Sequence, residues 1–215
     1  MARKALVLGA TGLIGGHLVN QLADAAHIGQ VVTLTRRAAP HPAAKVRNEI
    51  VDFERLSDCA SLFEGDLLFS CLGTTRSRAA SLAKQRRVDV DYQLQAARLA
   101  AEAGVAHYLL VSSSGADPNS RSAYLRMKGE LEREVLRLPF PRISIFRPSL
   151  LLGDRAEFRP AEWLGSRLLP LLCTLPGLRR YRPIRGEQVA ARMVQVSNEP
   201  GPAVETFTLD EIFHY

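Results

Sequence analysis

Short apolar runs rich in β-branched residues alternate along this chain with longer stretches in which apolar positions recur three and four residues apart. The first pattern suits a buried strand and the second a helix with one apolar face. Residues 4–8 read as a first strand. Residues 13–25 read as a helix with Leu13, Ile14, Leu18, Val19 and Leu22 on one face. Strands follow at 31–35, 49–52 and 66–71, then a long helix at 82–103, a fifth strand at 106–112, a helix at 123–138 and a sixth strand at 142–146. This alternation predicts an α/β fold: a Rossmann-type, doubly wound parallel sheet with helices on both faces and right-handed crossovers.

After Pro148 the rhythm changes. Residues 163–178 are rich in leucine and broken by Pro170 and Pro176, and a short helix (187–197) and a last strand (205–208) follow. The whole chain, 1–215, is expected to be one domain, with 149–215 a small C-terminal lobe over the carboxyl edge of the sheet. The leucine stretch suits core packing. It would equally suit a lid over an apolar substrate or a surface for a partner.

The turn between the first strand and the first helix is Gly9-Ala10-Thr11-Gly12-Leu13-Ile14-Gly15. Its spacing, G-x-x-G-x-x-G directly after a strand and opening a helix, is that of a dinucleotide phosphate loop. Gly9 allows the tight turn, Gly12 lets backbone approach a pyrophosphate, and Gly15 lets the helix pack closely on the strand. The N–H groups of the helix start, at Leu13 and Ile14, then face the phosphates, and Thr11 can add a hydroxyl.

The second strand runs out at Thr35-Arg36-Arg37. A site for NAD usually carries an acid here, for the ribose 2′-hydroxyl. Two arginines instead favour a 2′-phosphate, which a guanidinium grips bidentately, so NADPH (NADP) is expected over NAD. Asp52, after the third strand, is placed to accept the adenine amino group, with Phe53 flanking the ring. Cys71-Leu72-Gly73, after the fourth strand, would pass the ribose on the nicotinamide side, with Cys71 read as a small buried apolar residue rather than a nucleophile.

Composition narrows the setting. The 215 residues are 47% hydrophobic and 23% charged, an ordinary soluble globular balance. Cys59, Cys71 and Cys173 are an odd number at no metal-ligand spacing, so no metal site and no disulfide framework are expected, and the cytoplasm is the expected compartment. No segment reaches the roughly 18 to 20 apolar residues needed to span a bilayer. A net charge of +6 and a pI of about 9.6 favour anionic partners. Arg179, Arg180, Arg182 and Arg185 form one basic cluster, and Arg76, Arg78, Lys84, Arg86 and Arg87 another. No nucleic-acid module accompanies them and aromatics are not interleaved, so nucleic acid is not the expected ligand.

Tyr124 and Lys128 lie four apart on a predicted helix, so both leave the same face. The strand before them ends Ser112-Ser113-Ser114-Gly115. Carbonyl reduction needs a proton at oxygen as hydride reaches carbon. A tyrosine hydroxyl can supply it, a nearby ammonium stabilises the phenolate left behind, and a serine hydroxyl orients the substrate oxygen. Ser114 is the preferred serine. Ser113 is the alternative, or else lines the cofactor.

Together these residues resemble the short-chain dehydrogenase/reductase superfamily in its atypical branch. Ser112 to Asp117, Tyr124 to Glu130, and Phe146-Arg147-Pro148 through Arg159-Pro160-Ala161-Glu162-Trp163-Leu164 make the chain similar to the Tat-interactive oxidoreductase family, an NADPH-binding group. The resemblance implies that Pro148, Ser149 and Leu150 flank the nicotinamide carboxamide. It also implies a homodimer built through the long helices, and a protein partner. Many superfamily members carry an asparagine on the fourth helix for proton relay; here Asp89 and Asp91 occupy that neighbourhood. The expected function is an NADPH-dependent oxidoreductase acting on an unknown carbonyl or alcohol. The alternative is a non-catalytic NADPH-binding regulator working through protein contacts, although retention of a proton donor favours the enzyme. Nucleotide-sugar epimerisation is ranked lower, because residues 149–215 leave little room for a sugar nucleotide.

Overall fold

The computed structural model describes residues 2–74, 79–152 and 182–213. Its strands are β1 (Arg3–Leu8), β2 (Ile28–Thr35), β3 (Val46–Ile50), β4 (Leu67–Ser70), β5 (His107–Val111), β6 (Arg142–Arg147), β7 (Leu151–Leu152), β8 (Ile184–Arg185) and β9 (Val204–Thr208). Seven of them form one wholly parallel sheet in the order β3-β2-β1-β4-β5-β6-β9, and β7 pairs with β8 beside it. The central strands are buried on both faces, which is why Ala5-Leu6-Val7-Leu8 and Leu67-Leu68-Phe69 read as unbroken apolar runs rather than alternating ones.

The helices are α1 (Leu13–Asp24), α2 (Leu82–Arg86), α3 (Tyr92–Glu102), α4 (Ala123–Val135) and α5 (Gly186–Asn198). On one face of the sheet, Ile14, Leu18 and Leu22 of α1 meet Val189, Met193 and Val196 of α5. On the other, Ala96, Ala97 and Ala100 of α3 pack with Leu131 and Val135 of α4 and with Phe53, Leu56 and Phe63. The fold is thus the Rossmann-type, doubly wound α/β arrangement expected.

Several boundaries differ from expectation. The third strand spans 46–50 rather than 49–52, because Val46 pairs with Val31 and Ile50 with Thr35. The segment Phe53–Phe63 winds as a kinked 3₁₀ helix, with Arg55 and Cys59 at non-helical angles. The long helix is interrupted by one π turn, Arg87–Asp91. In the C-terminal third, α5 lies on α1 and β9 pairs with β6. The leucine-rich stretch 163–178, Cys173, Arg76, Arg78, Arg179 and Arg180 lie outside the described residues. Among those described, no helix is long and apolar enough to cross a membrane.

A polar network ties β5, β6 and β9 at their amino ends. His107 Nε2 lies 2.7 Å from Ser144 Oγ, Ser144 Oγ donates to Glu205 at 2.6 Å, and Arg142 donates twice to Glu205, at 2.6 and 3.0 Å. Burial, with the charges of Arg142 and Arg3 adding to it, pushes the His107 imidazole down to about 3.

Candidate cofactor site and active site

The sheet reverses its winding between β1 and β4, and ligands of such sheets bind beyond the carboxyl ends of the strands at that point. Gly9 sits there with φ of +76° and lies against the backbone of Cys71 and Leu72, where a Cβ would overlap main-chain atoms. The loops after β1 and β4 are thereby brought edge to edge. Gly12 N donates to Gly9 O at 2.9 Å and closes the turn. Gly12 is also the N-cap of α1. It offers no side-chain cap, and the first turn holds no acidic residue. The first N–H groups of α1, among them those of Leu13 and Ile14, therefore have no side-chain partner among the described residues, while Thr11 is exposed beside them. An uncapped helix start with an open glycine in front of it fits a pyrophosphate.

At the end of β2, Thr35 Oγ1 donates to Arg37 O at 2.8 Å. Asn48 of β3 donates to Thr33 Oγ1 and to Thr35 Oγ1, both at 2.8 Å, and accepts from Ala39 N at 2.8 Å. The turn after β2 is thus held by its neighbour strand. Arg36 and Arg37 project from it, exposed, and neither guanidinium has a hydrogen-bond or ion-pair partner among the described residues. Asp52 is exposed and caps the 3₁₀ segment by accepting from Glu54 N at 3.0 Å. Phe53 is only 4% exposed, its ring turned into the core 5.6 Å from that of Tyr92. After β4, burial pushes the Cys71 thiol up to about 12, against the pull of the Lys128 charge. Leu72 is half-buried and Gly73 exposed.

The loop after β5 is fixed by Ser114 N, which donates to Pro148 O at 3.0 Å and so joins it to the loop after β6. Ser113 and Ser114 are half-buried, and Ser112 is buried with a hydroxyl that has no hydrogen-bond partner among the described residues. Ser122 caps α4 by accepting from Leu125 N. The helix passes so close to the turn at Asp117 and Pro118 that Gly129 leaves no room for a Cβ. Lys128 lies beside it, 4% exposed, and its ammonium donates to Val111 O at the end of β5, 3.2 Å away. Tyr124, one turn earlier on the same face, is 39% exposed. One turn later, Glu132 is 3% exposed and receives Arg147 of β6 through Nε at 3.0 Å and through Nη2. The face of α4 thus runs from an exposed phenol to a buried ammonium to a buried ion pair. Pro148 is buried, Ser149 Oγ donates to Arg182 O at 2.6 Å, and Leu150 O accepts from Ile184 N at 2.9 Å.

Against the helix that carries Lys128 the structure packs the π turn with Asp89, which sequence reasoning noted only by position, beside Gln85 and Gln93, which it passed over. Asp89, in the π turn, is fully buried, and its Oδ1 accepts from Thr74 N at 2.9 Å. Gln93 donates to the carbonyls of Asp89 (2.9 Å) and Val88 (3.2 Å), and its own carbonyl accepts from Ser70 Oγ at 2.8 Å. Burial raises the Asp89 carboxyl above the usual range, opposed by Lys128, Thr74 N–H and Gln85. A signal existed in the sequence: Gln85, Asp89 and Gln93 lie four apart, a polar stripe on one helix face, and all three are buried.

A family model described as "NAD(P)H-binding" matches residues 9–138. Protein HTATIP2 of Rattus norvegicus is 41% identical over 169 residues, which cover 77% of this chain and 69% of that protein. The mitochondrial protein FMP52 of Saccharomyces cerevisiae is 38% identical over 197 residues, 86% of this chain and 83% of the relative. Among solved structures, MoeE5 in complex with UDP-glucuronic acid and NAD superposes with a TM-score of 0.72 at 20% identity, over 96% of this chain and 76% of that one. The Bordetella bronchiseptica enzyme WbmH in complex with NAD+ gives 0.71 at 14% identity, over 97% and 76%. These structural likenesses speak for the fold alone. The family match and the two relatives, taken with the glycine loop and the uncapped start of α1, show that this chain belongs to the NAD(P)H-binding family, in the atypical short-chain dehydrogenase/reductase group that includes HTATIP2 and FMP52.

Proposed function

We propose that the protein is an NADPH-dependent oxidoreductase acting on a carbonyl or alcohol substrate. The observation that carries this reading is the buried Lys128, held by the Val111 carbonyl at the end of β5 with the phenol of Tyr124 exposed one turn away. Bound NADPH supplies a hydride from its nicotinamide ring. Tyr124 gives a proton to the developing alkoxide. Lys128 stabilises the phenolate and holds the nicotinamide ribose. Ser114 orients the substrate oxygen, with Ser113 beside it lining the cofactor.

The cofactor would lie across the carboxyl edge. Backbone of Gly9, Thr11, Gly12, Leu13 and Ile14 would take the pyrophosphate, and Arg36 and Arg37 the 2′-phosphate. Asp52 would take the adenine edge, and Phe53, with its ring in the core, would contribute through its main chain. Cys71, Leu72 and Gly73 would line the ribose, and Pro148, Ser149 and Leu150 the carboxamide. The two unpartnered guanidinium groups after β2 support NADPH over NADH. The unpaired thiols of Cys59 and Cys71 support a reducing interior such as the cytoplasm, and the protein would act as a homodimer.

The test is a panel of carbonyl compounds followed by loss of NADPH absorbance. Turnover that falls by a hundredfold or more in Tyr124→Phe, with NADPH affinity retained, is expected. Silence across a broad panel with tight NADPH binding would instead favour a regulator that only senses the cofactor.

A further inference from the structure

The carboxylate of Asp89 is fully buried and only half satisfied. Oδ1 accepts the Thr74 N–H, but Oδ2, equally buried, has no hydrogen-bond partner among the described residues. A buried carboxylate oxygen is costly to leave without a donor, so its retention calls for a use. The π turn packs against α4, and the charge from that helix acting on Asp89 is the Lys128 ammonium, which among the described residues spends one donor, on Val111 O. The π turn that carries Asp89 is stabilised from within by Gln93, whose amide fills the carbonyls of Val88 and Asp89. Such single-turn widenings often mark functional positions.

We propose that Asp89 is a positioning residue of this site: it fixes the Gly73–Thr74 turn through Oδ1 and, from the π turn packed on the helix that carries Lys128, sets the charge that Lys128 presents to a bound dinucleotide. The inference deepens the proposed site and rests on Lys128 meeting the cofactor. The surroundings leave these two groups as a coupled pair. From α2 comes the neutral Gln85, while Arg86 turns outward to Glu130 and Asp91. Arg87 and Tyr92 are taken up by Glu54 at the surface. From α3 comes the neutral amide of Gln93. From the loop after β4 comes Cys71 and from β5 Tyr108, both kept neutral by burial. From α4 comes Lys128, with Tyr124 one turn beyond. An ionised Asp89 offsets the charge of Lys128 and weakens its hold on an anionic cofactor; a protonated Asp89 leaves that charge whole. Affinity should therefore fall as pH rises through the titration of Asp89.

The experiment is a calorimetric titration with NADP+ and with NAD+, both stable in acid, between about pH 5 and 8.5. Wild type, Asp89→Asn, Lys128→Met and the double variant are compared at matched thermal stability. The ratio of dissociation constants, wild type to Asp89→Asn, is expected to climb with pH to roughly three- to tenfold. Taking the ratio cancels the titration of the 2′-phosphate itself. In the Lys128→Met background the ratio should stay near one. A ratio that ignores pH, or one that survives loss of Lys128, would overturn the proposal. The ratio of wild type to Lys128→Met asks the same question with Asp89 untouched, and a constant value there would also overturn it. Because binding is the readout, a silent carbonyl panel would sink the enzymatic reading and leave this outcome standing, whereas failure of both cofactors to bind would sink both.

Discussion

Glu132 of α4 and Arg147 of β6 form an ion pair behind Lys128, with Nε donating to Oε1 at 3.0 Å and Nη2 to Oε2. The Glu132 side chain is 5% exposed and that of Arg147 32%, so the acid is buried and the base reaches solvent. The hydrogen bonds that Arg147 donates to Glu132 raise its proton affinity further. The pair fixes the angle at which α4 crosses the end of β6, and with it the place of Tyr124 and Lys128. Glu132→Ala should cost about 1–3 kcal/mol of stability, by leaving a half-buried guanidinium unpaired. Urea unfolding should show a lower midpoint with an unchanged slope. An unchanged midpoint would mean that the pair does not anchor the helix.

The buried imidazole of His107 makes a prediction about acid. Its pKa is about 3 when folded, against a reference of 6.5. Between those values the unfolded chain binds the proton and the folded chain does not. The contribution is therefore fully present above pH 6.5 and is lost as pH falls towards 3, by an amount on the order of a few kcal/mol. His107→Gln keeps a donor near Ser144 and removes this titration. Its stability curve should be flatter than that of wild type from pH 6.5 to 4. Parallel curves would count against a neutral, desolvated histidine.

How much of this was legible beforehand differs by element. Helix α4 was readable because Tyr124 and Lys128 share a face, and that spacing is local. The π turn at Arg87–Asp91 was not, because Gln93 widens the helix there by reaching back to carbonyls whose exposure depends on tertiary packing. The 3₁₀ segment escaped for a related reason: its buried Phe53, Leu56 and Phe63 do not keep a helical period across the kinks at Arg55 and Cys59. The third strand was misplaced because it is an edge, half-exposed, and its limits are set by pairing with Val31 to Thr35 rather than by its own apolar pattern. Asp89 was noticed by position, but its burial against Thr74 arises only when β4 and the helix come together.

Cofactor preference turns on the arginines after β2. Arg36→Asp should weaken NADPH by about tenfold or more and bring NADH level with it or ahead, since a carboxylate repels the 2′-phosphate and suits a ribose hydroxyl. Fluorescence titration with each cofactor checks this. Equal affinities in the wild type would remove the argument from the arginines.

Thiol chemistry separates a packing role for Cys71 from a nucleophilic one. Burial drives its thiol up to about 12, whereas the milder rise at Cys59 comes from partial burial and from Asp58. Near neutral pH, an alkylating reagent should label Cys59 well before Cys71, as peptide mapping would show. Preferential labelling of Cys71 would reopen its role.

The central claim is that the dinucleotide sits on the uncapped start of α1. Gly12 tests it most directly, because its φ of −86° and ψ of 176° suit any residue and an added Cβ would press only on Gly9 O, at 3.2 Å, so its replacement should cost the fold little. Gly12→Glu puts a carboxylate where the pyrophosphate would lie. NADPH fluorescence titration should show affinity lost by about a hundredfold, with the protein still folded and its thermal stability little changed. Undiminished NADPH binding by a folded Gly12→Glu protein would contradict the account.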